Sequence, residues 1–357
     1  MRVLVTGATG LIGCHSVAAL LDAGHCVRVF VRDPGKLDAV LAPFGLSEAR
    51  VEVAIGGVGD RDAIRAALAD CGGLLHCAGL FSPAREDEAL LAETNVEGTR
   101  SVLEAAAGIG LERAVYVSSI LALFPPRGDT MTSEDEVAEP ASMYAATKAD
   151  AERIAREFQT RLPVTIIYPA AVQGPDDPTF SIGPQLVANA LISGEVLVTE
   201  GGLATTDVRD LAAVIAGIFD GKTNAPRLMG PSFYLRHDRY HALLESLSGR
   251  SLKARRIPGW LLRLLGRVGD VAQRLGHSVQ LTYEAAEVLT RSVAVDDREA
   301  CRIIGREPIG EEDSFRDLIA WMIAAGHLDA AAAGRVGVKG AARDAAGDEA
   351  RDAGTAR

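Results

Sequence analysis

The sequence predicts an α/β fold in which a parallel sheet is covered by helices on both faces and followed by a smaller, mostly helical C-terminal cap. Three observations carry that expectation. Six short apolar runs, RVLVT, CVRVFV, VEVAI, GLLHC, RAVYVSS and VTIIY, are bounded by Gly, Asp or Pro and alternate with stretches of helical period. The runs are mostly apolar rather than alternating, as strands buried on both faces must be. After Pro169 the rhythm stops, and from about 175 to 290 Gly/Pro turns mix with amphipathic stretches.

Taken in order, the first run feeds VTGATGLIG, residues 5 to 13, where Gly7, Gly10 and Gly13 follow a strand and open the helix LIGCHSVAALLDAG. Glycines there let the backbone turn tightly and approach a pyrophosphate, with the helix amides and dipole facing its charge. The spacing is GxxGxxG, and as a bare pattern it is equally that of a tight turn. The second run ends in RVFVRDP, with Arg32 and Asp33 side by side at the strand tip. The helical stretch ALLAETNVEGTRSVLEAAAG precedes the fifth run, which closes on Ser118 and Ser119. Tyr144 and Lys148 follow in YAATK, four apart and so on one helix face. A phenol titrates near about 10, and an ammonium beside it favours phenolate, easing proton transfer at neutral pH. A serine hydroxyl within reach of the phenol would hold a substrate oxygen.

The C-terminal half is read more coarsely. IPGWLLRLLGRVGDVAQRL is an amphipathic helix whose apolar face is expected to be buried or to form a substrate lid; its basic residues are too few for a membrane surface, so no membrane partner is expected. The final DAAAAGRVGVKGAARDAAGDEARDAGTAR has no bulky apolar or aromatic residue and is expected to be an unordered tail. The expected organisation is thus residues 1–174 as a dinucleotide-binding domain, 175–328 as a cap with a segment at about 205–220 returning to the sheet, and 329–357 as the tail.

Composition narrows the function. The chain has 357 residues, 37 Lys+Arg against 48 Asp+Glu, and no basic block, which argues against nucleic acid as a partner. Five cysteines form no CxxC pair and have no His at zinc spacing, so no metal or disulfide is expected. The chain enters a strand at once and has no apolar run of membrane-spanning length, which leads us to expect a soluble, cytoplasmic protein.

The motifs TGATGLIG, HCAG, NVEGT, VYVSS, YAATK and YPAAVQGP stand in the order of the extended short-chain dehydrogenase/reductase family. Over residues 1 to 326 the chain resembles that family, and above all its dihydroflavonol-reductase-like branch, which includes sugar epimerases and hydroxysteroid dehydrogenases. The resemblance implies a Rossmann doubly wound sheet with a substrate-binding cap, and a catalytic Ser119, Tyr144 and Lys148 supported by Asn95 through a water. It places Gly7, Thr9, Gly10, Leu11, Ile12, Gly13, Asp60, Cys77, Ala78, Gly79, Tyr144, Lys148 and Pro169 around the dinucleotide. It points to Leu80, Phe81, Phe124 and Gln173 for the substrate, with core packing the favoured role for the two Phe residues. Relatives pair through two long helices, here about 87–107 and 142–160, so a homodimer is expected. TDVRDLA at 206–212 and IIGREP at 303–308 match closing motifs whose expected role is packing.

Two departures from the family pattern stand out. GGVGD puts Gly57 where relatives carry an adenine-contacting acid and leaves only Asp60, while ILALFPP replaces the Asp-Glu pair that nucleotide-sugar dehydratases place after the serine. Relatives using NAD carry an aspartate eighteen residues beyond the last glycine, where this chain has Val31; Arg32, one place later, stands where NADP-using reductases put theirs. Its planar fork suits a 2'-phosphate, with Lys36 adding charge and Asp33 turned away to cap the next turn. NADP is therefore expected, with NAD the alternative. Three readings stay open: an NADPH-dependent reductase of a carbonyl, a nucleotide-sugar epimerase with retained NAD, and a non-catalytic dinucleotide-binding protein.

Overall fold

The computed structural model describes residues 1–82, 85–140, 142–274, 279 and 281–336. All six expected runs are strands of one sheet: β1 (Arg2–Thr6), β2 (Cys26–Val31), β3 (Glu52–Ile55), β4 (Gly73–His76), β5 (Arg113–Val117) and β6 (Val164–Tyr168). A seventh, β7 (Arg227–Met229), joins at the edge. The order is β7-β6-β5-β4-β1-β2-β3, with every pairing parallel. The chain therefore winds outward in both directions from β1, and the C-terminal ends of β1 and β4 flank the reversal where such sheets bind ligands.

Both faces of the sheet are covered except at the β3 edge, where Val53 and Ile55 are exposed. Leu4, Leu74, Ala114, Tyr116 and Ile166 pack with Val102, Leu103 and Ala106 of α2 (Gly98–Ala107) and Ala151, Ile154 and Ala155 of α3 (Met143–Phe158). Their neighbours Val3, Val5, Leu75, Val115 and Ile167 face the other way, onto Val17 and Leu20 of α1 (Leu11–Asp22) and Leu211, Val214 and Ile218 of α4 (Val208–Phe219). Apolar residues at consecutive positions are thus consumed by opposite layers, which is why the runs lack alternation.

The return to the sheet extends further than the expected 205–220, since α4 leads directly into β7. RLM, between Pro226 and Gly230, is too short for a periodic signal. The closing motifs do pack together: Arg306 pairs with Asp210 at 2.7 Å, and Asp210 also accepts from Ile309 N. The cap is mostly helical, as expected, and adds short strands: Gly202–Asp207 is sandwiched between Ala171–Gln173 and Phe233–Arg236, and Glu195–Val198 pairs with Lys253–Arg256.

The start of the segment expected to be unordered is instead built into the fold. Ala330–Ala333 is a helical turn, Ala333 and Val336 are buried beside Leu244, Leu318 and Met322, and Arg250 donates to the carbonyl of Ala332. Small side chains suffice there because the surrounding leucines supply the surface. Residues 337–357 lie outside the described residues. Truncation after Leu328 should lower Tm by roughly 2–5 °C, since the buried Val and Ala side chains are worth about 2 kcal/mol. Thermal melts of that truncation and of one ending at Val336 check this; the second is expected to match the full chain.

Candidate active site

The glycine loop is a cradle closed on two sides. Gly7 adopts φ +74°, and a Cβ there would lie 2.6 Å from the backbone nitrogen of Ala78 at the end of β4; a Cβ on Gly13 would lie 2.0 Å from the carbonyl oxygen of Gly7. Both positions exclude any side chain. Gly10, by contrast, would meet only Gly7 O, at 3.5 Å. It is the N-cap of α1, with no side-chain cap and no acid in the first turn. The α1 amides beyond it, at half-buried Leu11 and Ile12 near Thr9, therefore keep their donor capacity for an anion.

At the tip of β2, Val31 is buried while Arg32 and Lys36 are exposed. Asp33 accepts a hydrogen bond from Gly35 N at 3.0 Å, capping the following turn as the sequence suggested. Asp60 is likewise an N-cap, accepting from Ala63 N at 3.0 Å, so one of its oxygens is committed to the helix.

Beyond β4, the Cys77 thiol donates to Thr6 O, and Ala78 N donates to the Thr6 hydroxyl. Asn95 grips the next residues from both ends: its Oδ1 accepts from Leu80 N at 2.8 Å, and its Nδ2 donates to Leu80 O and to the Thr147 hydroxyl. The helix carrying Asn95 has a π turn over Ala92–Glu97. Asn95 thus ties the loop after β4 to the helix of Tyr144 and Lys148.

Tyr144 opens α3, whose N-cap is Ser142. Its ring meets that of Phe81 edge-on at 4.8 Å, and Phe81 is itself half exposed. Burial pushes the phenol up to about 12, opposed by a hydrogen bond with Ser119. Lys148 stands one turn further along the same helix face. The ammonium donates to Val117 O at 3.0 Å and to the Tyr116 hydroxyl at 3.4 Å, and burial lowers it to about 8 against the pull of the Glu152 carboxylate. The phenol is accordingly held protonated rather than driven toward phenolate.

Below Lys148 runs a buried polar line. His76 bridges the hydroxyls of Thr6 (2.7 Å) and Thr99 (3.0 Å) and stacks on Tyr116. Its imidazole is held neutral, pushed down to about 3 by burial and then by the Lys148 charge. Between pH 6.5 and about 3 the unfolded chain binds a proton there that the folded chain refuses, so stability falls as pH falls, by ~1.4 kcal/mol per pH unit. Denaturant melts across that window should show a shallower slope for His76→Gln than for the wild type.

A family model described as "NAD dependent epimerase/dehydratase family" matches residues 3–225. The chain belongs to that family. It is 30% identical over 333 residues to "Sterol demethylase protein B" of Methylococcus capsulatus, covering 90% of this chain and 98% of that one. To a farnesyl-dihydroquinoline-oxide ketoreductase of Stigmatella aurantiaca it is 28% identical over 319 residues, covering 88% and 90%. Among solved structures, gox2253 superposes with a TM-score of 0.74 at 25% identity, over 92% of this chain and 99% of that one. A UDP-glucuronic acid 4-epimerase from Bacillus cereus bound to NAD shares the fold, with a TM-score of 0.71 at 19% identity, over 93% and 100%. The chain is an NAD(P)-dependent oxidoreductase of the extended short-chain type.

As a member of this family the protein gathers most of the expected residues around the ends of β1, β4 and β5. Pro169 closes the set, its carbonyl accepting from Ile120 N next to Ser119. Two of the four suggested substrate residues are placed otherwise. Phe124 is buried in the main core with Leu123 and Met131, and Gln173 is buried with its amide toward Ser314, so both serve packing. Leu80 and Phe81 remain at the site's rim. Sequence reading missed Tyr116, His76, Thr99 and Glu152. Glu152 is fully buried, accepting from Tyr168 OH and Arg156 Nε. Its spacing offered a signal, as Tyr144, Lys148 and Glu152 recur every four residues on one face.

Proposed function

We propose that the protein is an NADPH-dependent reductase that converts a carbonyl on a small, largely apolar organic compound to a secondary alcohol. The observation that carries this reading is the buried Tyr144 phenol, raised by that burial, beside the Ser119 hydroxyl. When bound, the dinucleotide supplies the hydride that goes to the carbonyl carbon. Gly7, Gly10, Gly13 and the α1 amides would hold its pyrophosphate, and Arg32 and Lys36 its 2'-phosphate. Ser119 orients the substrate oxygen, Tyr144 gives it the proton, and Lys148 contributes the positive charge that stabilises the resulting phenolate. The Phe81 ring over Tyr144 favours an apolar, ring-containing substrate, in keeping with relatives named for a sterol and for a farnesyl dihydroquinoline.

A donor at about 12 stays protonated throughout the neutral range, so kcat/KM for reduction should be flat between about pH 6 and pH 7 and fall only about twofold by pH 8, where Lys148 loses its proton. An initial-rate profile that falls about tenfold over that interval would show a donor titrating near neutrality and contradict the assignment. We expect a homodimer through helices 87–107 and 142–160, where Leu90 is exposed. Sedimentation at micromolar concentration checks this, with monomer alone as the contrary result.

A further inference from the structure

The helix α5 (Gly259–Arg274) is packed inside out. Its inner side is formed by Gly266 and Gly269, where a Cβ would lie 2.5 Å from the carbonyl oxygen of Thr282 and 1.9 Å from that of Leu281, together with Leu262 and Asp270. The bulky residues point outward: Trp260 is 64% exposed, Val268 60%, Val271 53%, Leu264 50% and Leu265 44%. At 100° per residue these fall on one continuous stripe. The expectation of a buried apolar face therefore fails, because the glycines take the seam against α6 (Tyr283–Thr290).

The stripe has a basic border in an acidic protein. From Lys253 to Arg274 there are six Lys or Arg against Asp270 alone, in a chain of net charge -11. Counting from Lys253 adds the Arg255 and Arg256 that the helix by itself lacks. Arg255 and Lys253 share Glu195; Arg256 and Arg267 are exposed, with Arg267 resting over the Tyr283 ring at 5.0 Å. No described helix is long and apolar enough to cross a bilayer.

We propose that this face docks on the surface of an anionic phospholipid bilayer, with Trp260, Leu264, Val268 and Val271 entering the interface and the Arg residues meeting the headgroups. Charge selects this occupant. Two copies joined through the stripe would bring like-charged borders together, whereas an anionic surface attracts this border and repels the rest of the chain. The chain's own end offers no cover, since residues 337–357 contain one Val and no Leu, Ile, Met or aromatic residue. Docking also places the bilayer beside the active site: Glu284 of α6 accepts from Ser142 N and Oγ, at the cap of the Tyr144 helix. Direct uptake of a lipid-dissolved substrate rests on the reductase reading; docking itself does not.

The test is vesicle flotation of the full chain without substrate or cofactor. The vesicles are phosphatidylcholine alone or with about 30% phosphatidylglycerol, at low and high salt. The protein is expected to float with the anionic vesicles at low salt and to be released by high salt. Leu264→Glu/Val268→Glu changes two exposed side chains, so its melting and its soluble turnover should be unchanged, while its vesicle partition falls by more than about tenfold. Arg256→Glu/Arg267→Glu should abolish the preference for anionic lipid. In a Trp321→Phe background, Trp260 emission should shift to the blue on binding. Absence of wild-type flotation overturns the proposal, as does equal flotation of Leu264→Glu/Val268→Glu. So does a result in which that variant dissociates an oligomer while the wild type ignores vesicles.

Discussion

Tyr144→Phe should lower turnover by roughly 10²–10⁴-fold while leaving dinucleotide affinity within about twofold of wild type. The substitution removes only the hydroxyl. The ring remains to meet Phe81 edge-on, and the N-cap at Ser142, the Asn95 bridge to Thr147 and the Lys148 contacts are untouched. Lys148→Met is expected to damage both properties, because the ammonium, anchored to Val117 O at the end of β5, is the group we propose to hold the dinucleotide ribose and to stabilise the phenolate. Stopped-flow turnover and cofactor titration by protein fluorescence separate the two variants. Retention of most activity by Tyr144→Phe would remove the phenol from the proton-donor role.

Arg32→Ala should weaken NADPH binding tenfold to a hundredfold and leave NADH nearly unchanged. A hydrogen bond to a charged group is worth about 1.5–3 kcal/mol, which converts to roughly that ratio. Arg32 is exposed at the strand tip, in no ion pair among the described residues, and so is available to a phosphate. Asp33 is the apparent opponent, but its Oδ1 accepts from Gly35 N and so turns the carboxylate toward the following turn, and Asp33→Ala should change the preference little. Titrations of both cofactors into wild type and both variants at fixed, moderate salt decide the matter. A larger loss in Asp33→Ala than in Arg32→Ala would reverse the assignment and favour retained NAD.

The sheet was legible because five of its first six strands are runs apolar on both faces and β3 is a short apolar run at the edge, and the glycine loop was legible because three positions in nine have no room or reason for a side chain. Gly7 and Gly13 fulfil the steric part of that reading; Gly10 is open, as an anion site requires. The polar line beneath the site was not legible. His76 and Tyr116 sit in runs that read as plain strand, and only the register between β4 and β5, which sets them opposite each other, reveals that they stack. The burial that raises the Tyr144 phenol was not legible either: four residues of spacing gave the face it shares with Lys148, but the ammonium's choice of Val117 O depends on where β5 ends. The outward apolar face of α5 escaped for a similar reason. Amphipathicity shows that one side is apolar, and only the close approach of Gly266 and Gly269 to α6 shows which side is turned in.

The most direct test of the account is the fate of a labelled hydride. NADPH deuterated at C4 of the nicotinamide is incubated with the protein and, separately, a steroid ketone, a dihydroflavonol and UDP-glucuronic acid, and products are analysed by mass spectrometry. The account predicts deuterium on the new carbinol carbon of a ketone substrate, with one NADP+ formed for each alcohol. Epimerised nucleotide sugar with no deuterium and no NADPH consumed, the dinucleotide remaining bound as NAD, would contradict it.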